Sequence, residues 1–202
     1  MADYALAWDA VHAPLMKELD MPKVRPEKFA KNATSRSLLT DVNAGRRKLD
    51  WCPADMSLEY HLFPFFAQRK VEVVASPELE SLFGRVRTQE DVWVVSSERG
   101  LYRNEEDHRR SIPASGFFDR LVVPDAVQLT YLVVMTLYRP HLKVAIASQP
   151  DGPLLFARTA TCDYRGWVVG VAYMPGKSIQ YRAFIPNLDH PELVVMDAFI
   201  LT

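Results

Sequence analysis

The densest group of reactive side chains in the chain is the run Glu105-Glu106-Asp107-His108-Arg109-Arg110. Glu105 or Asp107 beside His108 would supply a proton donor and acceptor for hydrolase-type acid–base chemistry. Arg109 and Arg110 would clamp an anion through their rigid forks of N–H donors. Neighbouring residues on a helix or strand point in different directions, so adjacency alone does not make these groups converge. Loops between strands often carry function, and the run is the first choice for catalysis if the chain is an enzyme. The plainer expectation is a solvated loop that neutralises its own charge.

Other combinations are weaker. Cys52 and His61 could pair as nucleophile and base, but that needs a thiolate within reach of the imidazole. Pro53 follows the cysteine directly and biases it toward extended backbone, away from a helix N-terminus. Cys162 stands beside Asp163, whose charge disfavours a thiolate. Pro175-Gly176-Lys177-Ser178 resembles the end of a phosphate-binding loop. Five residues, rather than the required four, separate Gly170 from Gly176. The residues after it alternate like a strand, so a hairpin turn is expected there. The five histidines, at 12, 61, 108, 141 and 190, show no close metal-ligand spacing. Asp189-His190-Pro191-Glu192 reads as a turn between strands. No metal or cofactor is expected. Arg46-Arg47-Lys48, with Lys28, Lys31 and Arg36 upstream, forms the one basic patch, suited to a protein partner, an anion or nucleic-acid phosphates.

These groups sit in a chain of ordinary globular composition. It has 202 residues, 49% hydrophobic and 24% charged, with a formal charge of −1. That balance gives no global basic field for nucleic acid. With 8 glycines against 14 prolines, folds whose ligand loops need several glycines are disfavoured. The N-terminus has no basic region before its apolar residues, so it does not read as a secretory signal. The apolar stretch from Leu129 to Tyr138 is about half the length a bilayer needs. The expectation is an intracellular, cytoplasmic protein without a membrane span. Two cysteines make no disulfide framework, and Asn32-Ala33-Thr34 is then a chance glycosylation pattern.

The elements expected to position these groups fall in three sections of one domain. Residues 1–50 read as helical. Tyr4, Trp8, Val11, Leu15 and Leu19 form one amphipathic stripe, with a kink or break at Pro14. A short helix is expected at 35–42, ended by Ala44-Gly45. Residues 57–103 read as mixed. Leu58, Tyr60 and Leu62 alternate as a strand, and Val71 to Ala75 forms another. Ser76-Pro77 opens a short helix over 77–83, with Gly84 as its left-handed end. Val92 to Ser96 and Leu101 to Arg103 flank a hairpin turn at Glu98-Arg99-Gly100.

Residues 104–120 read as a polar loop, and 121–202 as an antiparallel β meander, an open curved sheet or a barrel. Val127, Leu129, Tyr131, Val133, Met135 and Leu137 occupy every second position, which predicts a strand. Strands around Leu142, Leu154, Trp167, Ser178 and Leu193 follow, joined by turns rather than helices. The fold class is therefore α+β, with the helices mostly N-terminal.

Three functions follow. The first is a non-catalytic interaction or assembly protein, a subunit of a larger, homo-oligomeric or virion-like complex. Its contacts would use sheet edges and the aromatic knot of Tyr60, Phe63, Phe65 and Phe66. The second is a small-molecule enzyme with a pocket at the meander, drawing on loops near His108, Asp163 and His190. The third is a nucleic-acid module using the basic N-terminal section.

Overall fold

Pro14 and Pro64 shape the first two helices in the same way. Proline cannot donate its backbone N–H and collides with the carbonyl four residues back, so a regular turn cannot lead into it. The computed structural model describes residues 8–22, 40–42, 44–104, 106–107, 123–138, 153–186 and 188–201. In it, each proline follows a widened π-helical turn, Trp8–His12 or Leu58–Leu62. Each then lies in the first turn of a short α-helix, α1 (Ala13–Glu18) or α2 (Phe63–Gln68). The break expected at Pro14 is this change of helical pitch.

Both helices also end alike. Asp20 and Lys70 take positive φ, 55° and 56°. The N–H groups of Met21 and Val71 reach back to the carbonyls of Met16 and Phe66. This double turn satisfies helix-end carbonyls that would otherwise lack partners. Arg69 joins the two helices through Glu18 at 2.5 Å.

Helix α2 and its leading turn replace the strand predicted from Leu58, Tyr60 and Leu62. Leu58, Leu62, Phe65 and Phe66 are all buried, at the i, i+4, i+7, i+8 spacing of a helix face, while Tyr60 is 59% exposed. Ser57 starts the segment by accepting the Tyr60 N–H on its hydroxyl at 3.1 Å. Helix α3 (Pro77–Phe83) forms where Ser76-Pro77 predicts it. Gly84 ends it at φ −67°, not in the left-handed region. A Cβ there would lie 2.5 Å from Glu59 Oε2, the far end of an exposed, flexible side chain that can move aside, so space does not require the glycine.

The largest correction concerns residues 126–138. They form α4 (Ala126–Tyr138), not a strand, so the last section is not all β, while the α+β class holds. Asp125 and Gln128 close its start reciprocally. Asp125 Oδ1 accepts the Gln128 N–H and Gln128 Oε1 accepts the Asp125 N–H, both at 2.8 Å. Thr161 adds a third contact by accepting the Ala126 N–H. Every residue from Ala126 to Met135 is buried. An all-round apolar helix belongs in an interior, and alternation cannot identify it.

Among the described residues seven strands form one mixed sheet: β1 (Lys48–Cys52), β2 (Glu72–Ala75), β3 (Val92–Tyr102), β4 (Phe156–Cys162), β5 (Val168–Met174), β6 (Ser178–Phe184) and β7 (Leu193–Leu201). Their order is β1-β3-β7-β4-β5-β6-β2. Among the described residues the sheet is open rather than closed into a barrel. The predicted meander holds for β4-β5-β6, which are antiparallel neighbours. It fails at β7 with β4 and at β2 with β6, which pair in parallel. The predicted hairpin at Glu98-Arg99-Gly100 is one continuous strand, β3, whose register against β7 shifts between Ser96 and Leu101. The predicted strand around Leu142 lies outside the described residues. So does most of the helix predicted at 35–42, of which Thr40 to Val42 are helical.

Helix α4 packs on one face of the sheet against β1, β4 and β5. Val169, Val171 and Tyr173 of β5 point to that face and join the main core. The opposite face carries a small second cluster of Phe156, Ala172 and Phe184.

Candidate functional site

Strand β2 lies at an edge of the sheet, and its pairing leaves one side of its backbone open. The Glu72 N–H donates to the Lys177 carbonyl at 2.9 Å, and Glu72 to Ala75 run in register with Ser178 to Tyr181. In a parallel ladder, alternate residues direct both backbone groups at the same neighbour. Glu72 and Val74 therefore bond β6, while the N–H and C=O of Val73 and Ala75 turn outward. Among the described residues β2 has no second strand beside it.

A groove of about 360 Å³ runs along this edge. Helix α2 supplies Phe63 to its wall and α3 supplies Phe83, while Glu72 and Glu80 add carboxylates. The two rings meet edge-on with centroids 5.1 Å apart, and both contact Tyr181, at 5.7 and 5.0 Å. Tyr181 is buried, and its hydroxyl lies 2.8 Å from Thr130 Oγ1 on α4. Burial pushes its phenol well above the usual range. The aromatic wall is thus fixed to the central helix, while Val74 stays 37% exposed. The Ser76 hydroxyl caps no amide of the first turn of α3. Glu78 lies below the usual carboxylate range because its own backbone N–H and then the Ser76 hydroxyl favour the charged form.

A second polar group starts α2's leading turn. His61 Nδ1 accepts the Ser57 N–H at 3.0 Å and lies 3.1 Å from Ser57 Oγ. That acceptor role assigns the ring proton to Nε2. Ser57 has no exposed surface, so this pair is a cap and not a nucleophile with its base. Burial, reinforced by Arg87, lowers the His61 pKa, against smaller opposing effects of Asp20 and Asp55. The unfolded chain therefore binds the imidazole proton more readily than the folded one. Stability should be unaffected by His61 above about pH 6.5 and fall as pH drops below it. Denaturant titration at both ends of this window should show a steeper acid loss in wild type than in His61→Gln. Equal losses would refute the assignment.

The candidates from sequence fall as follows. Glu105, His108, Arg109 and Arg110 lie outside the described residues. Asp107 sits in a helical turn where its N–H bonds Asn104 Oδ1 at 2.9 Å, and its carboxylate accepts the Asn104 amide. Arg46 pairs with Asp41 at 2.7 Å and is 61% exposed. Arg47 reaches the buried Asp197 at 3.1 Å, across β3. Lys48 opens β1. The basic patch is therefore partly tied into the fold. Cys52 is buried, and desolvation, followed by the charges of Asp125, Asp91 and Asp50, raises its thiol pKa. It is not an activated nucleophile.

Asp163 closes a tight turn. Its Oδ1 accepts the N–H groups of Arg165 and Trp167, and its Oδ2 accepts two N–H groups of the Arg165 guanidinium. Burial alone would raise its pKa, but those bonds hold it below the usual range. Arg165 also stacks on Trp167 at 3.9 Å. His190 lies edge-on to Phe184 at 5.1 Å, with Nε2 3.2 Å from the Ile185 carbonyl. Gly176 takes φ +70° in the turn joining β5 to β6, as the hairpin expectation requires. A strand follows it, so no helix N-terminus faces a phosphate. Among the described residues no three His, Cys, Asp or Glu side chains gather as a metal-binding group, and no helix is long and apolar enough to cross a membrane.

The aromatic knot pointed to Phe63. Val73, Ala75, Phe83 and Glu80 were not singled out from the sequence, because their grouping depends on β2 pairing with a strand a hundred positions away. Compared with family models, curated proteins and solved structures, the chain matches none.

Proposed function

We propose that this protein is a non-catalytic interaction module that captures an extended segment of a partner chain along β2. The observation that carries the reading is the open edge at Val73 and Ala75 beside a groove with a fixed aromatic wall. An added strand would bond those backbone groups, and its side chains on one face would enter the groove. Edges are usually blunted by shortness or charge, and β2, with four residues and Glu72 at its start, limits indiscriminate pairing in this way.

Selection of a displayed peptide library on the full chain, followed by amide NMR, tests this reading. Selected peptides should shift the Val73 and Ala75 amides and slow their hydrogen exchange. Ala75→Pro, which removes an outward N–H without touching the bonds to β6, should weaken binding by about tenfold or more. Binders with a footprint elsewhere, or binding unchanged in a folded Ala75→Pro variant, would refute it.

A further inference from the structure

Resting on that reading, we infer that the β2 groove takes an extended segment in which apolar side chains alternate with lysine or arginine. Among the described residues the charged groups lining the groove are Glu72 and Glu80, and both are exposed. Its apolar surface comes from Phe63, Phe83, Val73, Val74 and Ala75. An extended segment shows successive side chains on opposite faces, so its apolar residues can fill the groove while the intervening ones reach the rims. Cations there would meet the two carboxylates, and carboxylates would be repelled. Lys70 and Lys177 lie beside the start of β2, which makes the Glu80 end the more strongly acidic.

The same charges argue against a second copy of the chain as occupant. A two-fold pairing through β2 would bring two acidic grooves together, with Val74 facing its own copy at the axis. Like charges so close make that pairing costly, whereas a basic partner is attracted.

Binding of two synthetic peptides to the full chain, by calorimetry and amide NMR at low and raised salt, tests the inference. One alternates lysine with valine and phenylalanine; the other has glutamate for each lysine. The lysine peptide should bind at least about tenfold more tightly, shift the Val73 and Ala75 amides, and weaken as salt rises. The surface variant Glu72→Lys/Glu80→Lys should reverse the order of the two peptides. Equal affinities at β2 would overturn the charge preference and leave strand capture standing. Self-association removed by Ala75→Pro would overturn it in favour of a second copy. No perturbation of β2 by either peptide, together with failed library selection, would overturn both readings.

Discussion

Aspartate in place of Val134 is expected to abolish cooperative folding near neutral pH, a loss of about 4–5 kcal/mol or more. Val134 has no exposed surface and lies in α4, whose residues from Ala126 to Met135 are all buried. An ionised carboxylate there has no water and no apolar-core partner, so it must either be protonated or unfold the helix from the sheet. Val74→Asp is the matching control, because that position is 37% exposed on the edge strand and should change stability by about 0.5 kcal/mol or less. Circular dichroism and urea titration read both. If 126–138 were instead a strand with its odd positions inward, Val134 would face outward and both substitutions would be tolerated. A cooperative, near-native Val134→Asp protein would therefore overturn the helix.

That contrast shows where the sequence misleads. Alternation from Val127 to Leu137 is real, but the intervening positions include Leu132 and Val134, which are as buried as their neighbours. The decisive local signal was Asp125 followed three residues later by Gln128, a reciprocal cap placed directly after Pro124. Ser57 carries the same kind of signal, a capping hydroxyl that outweighs the alternating pattern after it. Glu98-Arg99-Gly100 has turn-forming composition, yet β3 passes through it because both flanks pair with β7. Where turn chemistry and period agree, the sequence is legible. Gly176 between β5 and β6, Ser76-Pro77 before α3, and strands β4 to β7 were all readable. The candidate site was readable only at Phe63. No local pattern announces that β2 will join the far side of β6, and that long-range pairing is what leaves its edge open.

Valine at Gly170 tests the other face of the sheet, and its sign depends on which of two effects is larger. Glycine inside a strand is unfavourable, and strand propensity differences span about 1 kcal/mol, so propensity alone would make valine stabilising. Space opposes it. A Cβ at Gly170 would lie 2.7 Å from Phe184 Cε2, 2.9 Å from Phe156 Cβ and 3.1 Å from Leu193 Cδ1. The Phe184 ring and the leucine methyl can shift, but Phe156 Cβ is bonded to its own backbone and moves only with β4. Overpacking of this kind costs about 1–3 kcal/mol, so against a propensity gain of up to about 1 kcal/mol Gly170→Val should still lose about 1–2 kcal/mol. Phe184→Ala alone should lose about 3–5 kcal/mol from the small cluster with Phe156 and Ala172. In the double variant the losses should fall short of additivity by about 1 kcal/mol, because one of the two closest obstructions is gone. Additive losses would place the whole obstruction on the β4 backbone, and complete rescue would place it on the Phe184 ring. Partial rescue is the result the geometry requires, since Gly170 is hemmed in by a ring that can yield and a strand that cannot.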